Sequence, residues 1–172
     1  ISQNAFLGCP IKDLRFDPNS NLKTIGTTAF NSKKLTKLIV PASVETISDS
    51  AFRNCENLSI LKFEPGSKLK TIGAYAFDGC SSLKLVALPD SVVTLGAYAF
   101  RNCSALTNVN LSNNLSVIAE YTFYGCTNLK TVNLPKKLVS IDQRAFYDTA
   151  ITHLNFPSSL EFIGYCAFDE CS

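Results

Sequence analysis

Residues 72–96 read IGAYAFDGCSSLKLVALPDSVVTLG, and this stretch decides the fold because its pattern recurs along the whole chain. Aligned on the pair Ala76-Phe77, one unit reads A-F-x-x-C-x-x-L-x-x-V-x-L-P-x-x-V-x-x-I-G. The pair of a small residue and Phe, which we call the anchor, occurs at Phe6, Phe30, Phe52, Phe77, Phe100, Phe123, Phe146 and Phe168. Successive anchors are 22 to 25 residues apart. A near-constant period of this kind indicates a repeat architecture.

Each unit has the pattern of two short strands and a turn. Segment 129–134 alternates apolar and polar residues near its end, as a strand with one buried face does. A Pro usually follows, and V-x-x-I-G then returns the chain, with Val44 and Ile47 expected to point inward. The segment around the anchor, such as 73–79, suits a single helical turn. Loops 17–21 and 64–68 each gain two residues at turn positions, which we expect to leave the apolar framework undisturbed.

A unit of about 23 residues cannot close a core alone, so such units stack and share one. The sequence therefore predicts a solenoid of about seven repeats of 22–25 residues. We expect a parallel sheet on one side, with short return strands and single helical turns on the other.

These motifs resemble leucine-rich repeats, and more narrowly the BspA-like class. The L-x-x-[VL]-x-L-P core fits the general leucine-rich pattern, and the I-G-x-x-A-F-x-x-C tail, seen at 72–80, is the class-specific part. The resemblance covers residues 1–172 and implies a curved solenoid with the parallel sheet on its concave side. It also implies a surface protein of bacteria or parasitic protists, of a kind often linked with adhesion to host or matrix proteins.

The composition fits one repeat domain. The 172 residues carry a net charge of +2, with 46% apolar and 17% charged residues. This balance argues against a nucleic-acid surface, and no run reaches the roughly 18 to 20 apolar residues that a spanning helix needs, so we expect no membrane insertion in this segment. The chain contains no Met and begins inside one unit. We therefore interpret residues 1–172 as a single solenoid that is a fragment of a longer array.

Six of the seven cysteines occupy one repeat position, three residues after the anchor: Cys9, Cys55, Cys80, Cys103, Cys126 and Cys171. Stacking places equivalent residues about 4.8 Å apart with parallel Cα–Cβ vectors, which favours a ladder of buried free thiols. That spacing lies within the disulfide range, so bridges between neighbours stay open. Cys166 lies two residues before Phe168, at an exposed or half-exposed position. There it is a reactive thiol, a site for an intermolecular bridge or, as we favour, a harmless substitution.

Catalytic chemistry has little support in this sequence. His153, the single His, is expected to face outward from the sheet while the ladder thiols face the core, so no Cys–His pair is expected. The acidic residues are scattered over loops, and the glycines fall singly at turns. We therefore expect no enzyme, no cofactor and no metal site.

The outward positions of the sheet are the candidate partner-binding surface, because side chains alternate along a strand. The first row is Asp13, Lys37, Ile60, Leu85, Asn108, Thr131 and His153, and the second row is Arg15, Ile39, Lys62, Ala87, Asn110, Asn133 and Asn155. Seven strands would form a sheet roughly 30 Å wide, large enough for a protein partner. Ile39, Ile60, Leu85 and Ala87 form an apolar group beside a polar field of Asn and Thr. The stripe Tyr75, Tyr98 and Tyr121 on the opposite side is a second, weaker candidate.

The leading hypothesis is a non-catalytic adhesion module of a cell-surface or secreted protein that binds a protein partner, such as a host or matrix protein, through the concave sheet. The alternative is an intracellular, cytoplasmic interaction scaffold, which would keep its thiols reduced without difficulty.

Overall fold

The computed structural model describes residues 1–17 and 19–172. The chain forms stacked repeats whose regular secondary structure consists of short parallel strands. These strands are β1 (Phe6–Leu7), β2 (Thr24–Ile25), β3 (Phe30–Asn31), β4 (Lys37–Val40), β5 (Thr46–Ile47), β6 (Ile60–Phe63), β7 (Thr71–Ile72), β8 (Leu85–Ala87), β9 (Thr94–Leu95), β10 (Asn108–Asn110), β11 (Val117–Ile118), β12 (Thr131–Asn133), β13 (Ser140–Ile141) and β14 (Phe162–Ile163).

One face of the solenoid, which we call the front sheet, consists of β4, β6, β8, β10 and β12. All of its pairs are parallel, and their register places equivalent residues of successive repeats side by side, with Leu38 opposite Leu61 and Val109 opposite Val132. These inward residues are buried, while the residues on either side of them point outward. The alternation predicted from the sequence is therefore confirmed.

The return strands form the second face, also in parallel register. β2, β5, β7 and β9 make one sheet, and β11, β13 and β14 make another. Ile25, Ile47 and Ile72 lie opposite one another in adjacent strands and are fully buried. The predicted short return strands are confirmed.

The segments around the anchors are not helical turns, and this part of the prediction is wrong. No helix occurs among the described residues. In segment 73–79, Tyr75 has a φ of 57° and Gly79 a φ of 73°. A right-handed helix requires negative φ, so these two residues exclude it on both sides of Phe77. A positive φ recurs two residues before every anchor, at Asn4, Thr28, Ser50, Tyr75, Tyr98, Tyr121, Arg144 and Cys166.

Backbone hydrogen bonds join these turn segments into a third ladder. The Phe77 N–H donates to the Ala99 carbonyl at 2.8 Å, and the Gly79 N–H donates to the Arg101 carbonyl at 2.8 Å. The anchor N–H makes the equivalent bond to the next repeat at Phe6, Phe30, Phe52, Phe100, Phe123 and Phe146. The left-handed turns therefore serve the same purpose as strands, because they align each repeat with the next one.

The anchor phenylalanines form one continuous column inside these three ladders. Neighbouring ring centroids are 4.9 to 5.7 Å apart, and the ring planes lie within 12° of each other. The rings from Phe30 to Phe146 are at most 1% exposed, whereas Phe6 at one end of the column is 36% exposed. Each inner ring is buried by the repeats on both sides, so the core is shared between repeats.

The front sheet has three gaps, which corrects the expectation of seven continuous strands. Among the described residues, the first repeat pairs with β4 only through an isolated bridge between Asp13 and Lys37. β6 and β8 belong to separate sheets, and residues 151–156 form no strand beside β12. The first two gaps follow the two repeats with inserted residues, of which Pro18 lies outside the described residues. The insertions leave the buried framework intact but coincide with interrupted strand pairing.

Candidate functional site

The outward residues of the front sheet lie where the sequence predicts them. Ile39 is half-buried, and the exposed positions are Lys37, Ile60, Lys62, Leu85, Ala87, Asn108, Asn110, Thr131, Asn133, His153 and Asn155. The β4–β6 register places Lys37 beside Ile60 and Ile39 beside Lys62. His153 and Asn155 continue the two rows beyond β12, but they do not lie in a strand of the front sheet.

The apolar group lies at the gap between β6 and β8. Ile60 and Leu85 are 42% and 53% exposed, and neither belongs to the buried core. They line a cavity of about 570 Å³, which we call the β6–β8 cavity. Its walls also include Lys62, Ala87, Pro89 and the inserted loop 64–67. The interrupted ladder and the inserted loop thus create a concave apolar site that an unbroken sheet would lack.

The polar part of the front sheet surrounds a second gap. A cavity of about 550 Å³ separates β12 from segment 152–155. Beside it, the Asn133 Nδ2 donates to Asn110 Oδ1 at 2.9 Å, and His153 Nδ1 lies 2.9 Å from Thr152 Oγ1. These polar side chains partly satisfy one another, so this region has fewer free groups to offer a partner than its composition indicates.

Three lysines and one glutamate around the apolar group form no ion pair among the described residues. Arg15 Nη2 lies 2.7 Å from Asp13 Oδ2, so the charges of these two side chains cancel. Lys37, Lys62 and Lys84 are exposed, and within residues 1–17 and 19–172 none of them forms an ion pair. The Glu64 carboxylate belongs to the cavity wall and accepts a hydrogen bond from the Ala42 N–H at 3.0 Å.

The inner cysteines are buried and hydrogen-bonded, as the ladder interpretation predicts. Each thiol donates to the anchor carbonyl of the preceding repeat, for example Cys80 Sγ to Phe52 O at 3.3 Å and Cys126 Sγ to Phe100 O at 3.2 Å. Burial raises the pKa of the Cys55 thiol to about 11. A reactive cysteine must be accessible, so these four buried thiols have a structural role.

The outer cysteines differ from the inner ones, which corrects the expectation of one uniform ladder. Cys9 is exposed and Cys171 is half-buried, whereas Cys55, Cys80, Cys103 and Cys126 are buried. Cys166 is half-buried with a φ of 51°, on the turn side as predicted. Its reactivity stays a prediction.

A buried carboxylate that the sequence analysis did not single out fastens three repeats together. The Asp78 side chain is 3% exposed and lies between Arg53 and Arg101. Arg53 Nε donates to Asp78 Oδ2 at 3.0 Å, and Arg101 donates from Nε and Nη2 to the two carboxylate oxygens, each at 2.9 Å. All three residues occupy the position directly after the anchor. An alignment of the repeats would therefore have placed the Asp78 carboxylate between two arginines.

The tyrosine stripe is a stacked column on the turn side. Tyr75, Tyr98 and Tyr121 have ring centroids 4.5 and 4.7 Å apart with nearly parallel planes. Arg53 lies 5.1 Å from the Tyr75 centroid and Arg144 lies 5.9 Å from that of Tyr121, so a guanidinium packs on each end ring. The ring faces are covered by their neighbours, and this column therefore stabilises the turns and offers little surface to a ligand.

Within the described part of the chain, no group of three His, Cys, Asp or Glu side chains is arranged to hold a metal ion. The same residues include no helix that could cross a membrane.

The geometry defines a class of protein before any comparison: a parallel β-solenoid of leucine-rich repeats with an exposed front sheet. A family model described as BspA type leucine rich repeat region matches residues 1–68 and 59–172, with six copies. The chain belongs to the BspA-type leucine-rich repeat family. Proteins built from leucine-rich repeats generally bind other proteins, and the fold is typically non-catalytic.

Solved structures agree with this assignment. A leucine rich cell surface protein of Faecalibacterium prausnitzii A2-165 is 34% identical over 87% of this chain and 41% of its own, with a TM-score of 0.81. The T. pallidum leucine-rich repeat protein TpLRR is 32% identical over 83% of this chain and 66% of its own, with a TM-score of 0.72. The chain thus spans less than two thirds of the length of either. A comparison with curated protein sequences finds no match.

The thiol ladder predicts a defined pattern of alkylation. In the native protein at pH 8, iodoacetamide should modify Cys9 fastest and Cys166 and Cys171 more slowly, because these three are at least partly accessible. Cys55, Cys80, Cys103 and Cys126 should react only after denaturation. Mass spectrometry of peptides from native and denatured samples, without reductant, measures this pattern. Native labelling of Cys80 as fast as that of Cys9, or inner cysteines that stay unmodified after denaturation, would contradict it.

The Asp78 contacts predict an unequal effect of two matched substitutions. Asp78→Ala leaves Arg53 and Arg101 without their shared acceptor, and the free energy of unfolding should fall by about 2 kcal/mol. Asp169 occupies the same repeat position but is exposed, so Asp169→Ala should change stability by less than about 0.5 kcal/mol. Urea denaturation followed by circular dichroism measures both. If both substitutions lowered the free energy of unfolding equally, the contacts of Asp78 with Arg53 and Arg101 would not contribute to stability.

Proposed function

We propose that this chain is a non-catalytic protein-binding module of a cell-surface or secreted protein and that it binds its partner through the front sheet. The observation that carries the proposal is the exposed apolar group at the β6–β8 cavity, where Ile60 and Leu85 leave about half of their surface in contact with solvent. Parallel sheets are normally covered on both faces, but here no element of the described chain covers the outer face.

The proposed contact surface extends over both outward rows. It comprises Lys37, Ile39, Ile60, Lys62, Leu85, Ala87, Asn108, Asn110, Thr131, Asn133, His153 and Asn155. The apolar residues lie together and the Asn and Thr residues surround one side of them, which is the usual arrangement of an apolar centre with a polar rim. We expect the apolar centre to contribute most of the binding affinity. The polar residues should fix the orientation of the partner on the sheet.

The surface location is supported by similarity. The Faecalibacterium prausnitzii protein, 34% identical to this chain, is described as a cell surface protein. Adhesion to a host or matrix protein is the form of binding that such a location favours, and we include it in the proposal.

A matched pair of double variants tests the front sheet. Ile60→Glu with Leu85→Glu places two charges in the proposed centre. Val93→Glu with Val117→Glu makes the same chemical change at exposed apolar residues beside or in the return strands β9 and β11. The wild-type protein and both variants are incubated with an array of purified extracellular matrix and cell-surface proteins, and bound protein is measured by fluorescence.

The expected result is that the wild-type chain and the return-side variant bind the same array proteins, while the front-sheet variant loses at least about tenfold in signal. Circular dichroism establishes that all three proteins are folded. Equal binding by the front-sheet variant, selective loss in the return-side variant, or no array protein bound by the wild-type chain would contradict the proposal.

A further inference from the structure

The β6–β8 cavity has a shape and charge environment that specify what fits into it. Its two strands still contact each other although no ladder hydrogen bonds pair them. An additional strand needs about 4.8 Å on each side, so a partner backbone cannot enter between them as a new strand. A side chain projecting from a partner can enter, because the volume of about 570 Å³ is open to the front of the sheet.

The chemistry of the walls selects an apolar side chain. Ile60, Leu85 and Ala87 line the cavity, together with Pro89 and Lys62. A large apolar or aromatic side chain that enters loses its contact with water and gains packing on several sides. Such anchored side chains are the residues that contribute most affinity in protein interfaces.

The charges around the opening select the residues that flank this side chain. Lys62 lies in the cavity wall, Lys84 directly precedes Leu85, and Lys37 pairs with Ile60 in the β4–β6 register. These three ammonium groups have no ion-pair partner in the described chain. The one carboxylate of the cavity wall, Glu64, accepts a hydrogen bond from the Ala42 N–H, on the side away from β8. The three lysines outnumber this one carboxylate, so the net charge around the opening is positive and complementary to carboxylates.

We propose that the β6–β8 cavity receives one large apolar side chain from an acidic segment of the partner protein. The inference rests on the proposed function and names the chemical class of the partner at that surface. The apolar side chain fills the space between Ile60 and Leu85, and the acidic residues beside it interact with Lys37, Lys62 and Lys84.

Three short fluorescein-labelled peptides test this inference by fluorescence anisotropy with the whole chain. The first has one central Phe flanked by Glu residues, the second has Ser in place of Phe, and the third has Lys in place of Glu. The first should bind most tightly, with affinity that falls as salt is added. The second should bind at least about tenfold more weakly because the buried phenyl ring is missing, and the third should not bind.

Three chain variants complete the design. Leu85→Glu should remove binding of the acidic Phe peptide. Lys62→Glu should weaken binding of the acidic Phe peptide and strengthen binding of the Lys peptide. A general loss of structure could not strengthen binding of either peptide. Val93→Glu, at an exposed apolar residue outside the front sheet, should bind like the wild-type chain.

Binding of the Phe and Ser peptides with equal affinity, binding unchanged by Leu85→Glu, or no binding of the acidic Phe peptide would overturn the inference. Binding of a free aromatic probe such as indole, without binding of the peptide, would also overturn it and identify a small-molecule pocket. If array binding depends on Ile60 and Leu85 while the acidic peptide fails, the partner class is wrong and the proposed function survives. If array binding does not depend on them, the proposed function itself fails.

Discussion

Backbone hydrogen bonds between equivalent positions of successive repeats are the interaction on which this molecule depends. They run in three ladders, through the front strands, the return strands and the left-handed turns around each anchor. The ladders set the spacing between repeats, and that spacing brings the anchor rings to 4.9 to 5.7 Å. A single repeat could bury neither its anchor nor its thiol. Each inner repeat buries its anchor, and the four that carry Cys55, Cys80, Cys103 or Cys126 bury the thiol as well. Neighbouring repeats supply the ring faces that cover Phe77 and the carbonyl that accepts a hydrogen bond from the Cys80 thiol.

The same dependence explains why the candidate site lies where the front ladder is interrupted. A continuous parallel sheet with short side chains would present an even surface. The insertion after Phe63 coincides with the loss of pairing between β6 and β8, and the return and turn ladders continue across this point through β7 and β9 and through Phe52 and Phe77. The solenoid therefore keeps its core while one face opens into a cavity. A binding cavity of this kind can form without any change in the repeat framework, because it requires only a longer loop and a few exposed residues.

The period of the sequence was sufficient to predict the repeats, the two strand types, the inward and outward rows and the buried position of the inner cysteines. These features depend on which residues recur and on alternation along a strand. The helical turn was wrong because the residue before each anchor pair varies from Tyr75 to Ser50, so no residue type reports its left-handed conformation. The first two gaps in the front sheet were missed because insertions at turns look harmless when only the apolar framework is considered. Asp78 was missed because its importance depends on Arg53 and Arg101, which lie in other repeats.

The central claim is that the turn ladder continues across the repeats while the front ladder is interrupted between β6 and β8. Hydrogen–deuterium exchange of individual amides, followed by NMR, tests it most directly. The anchor amides of Phe77 and Phe100 should exchange slowly, since each donates to the next repeat. The Leu85 amide, at the gap, should exchange faster than that of Thr131, which occupies the same repeat position and donates to the Thr107 carbonyl at 3.3 Å. Equal protection of Leu85 and Thr131, or anchor amides that exchange as fast as those of loop 64–67, would contradict the account.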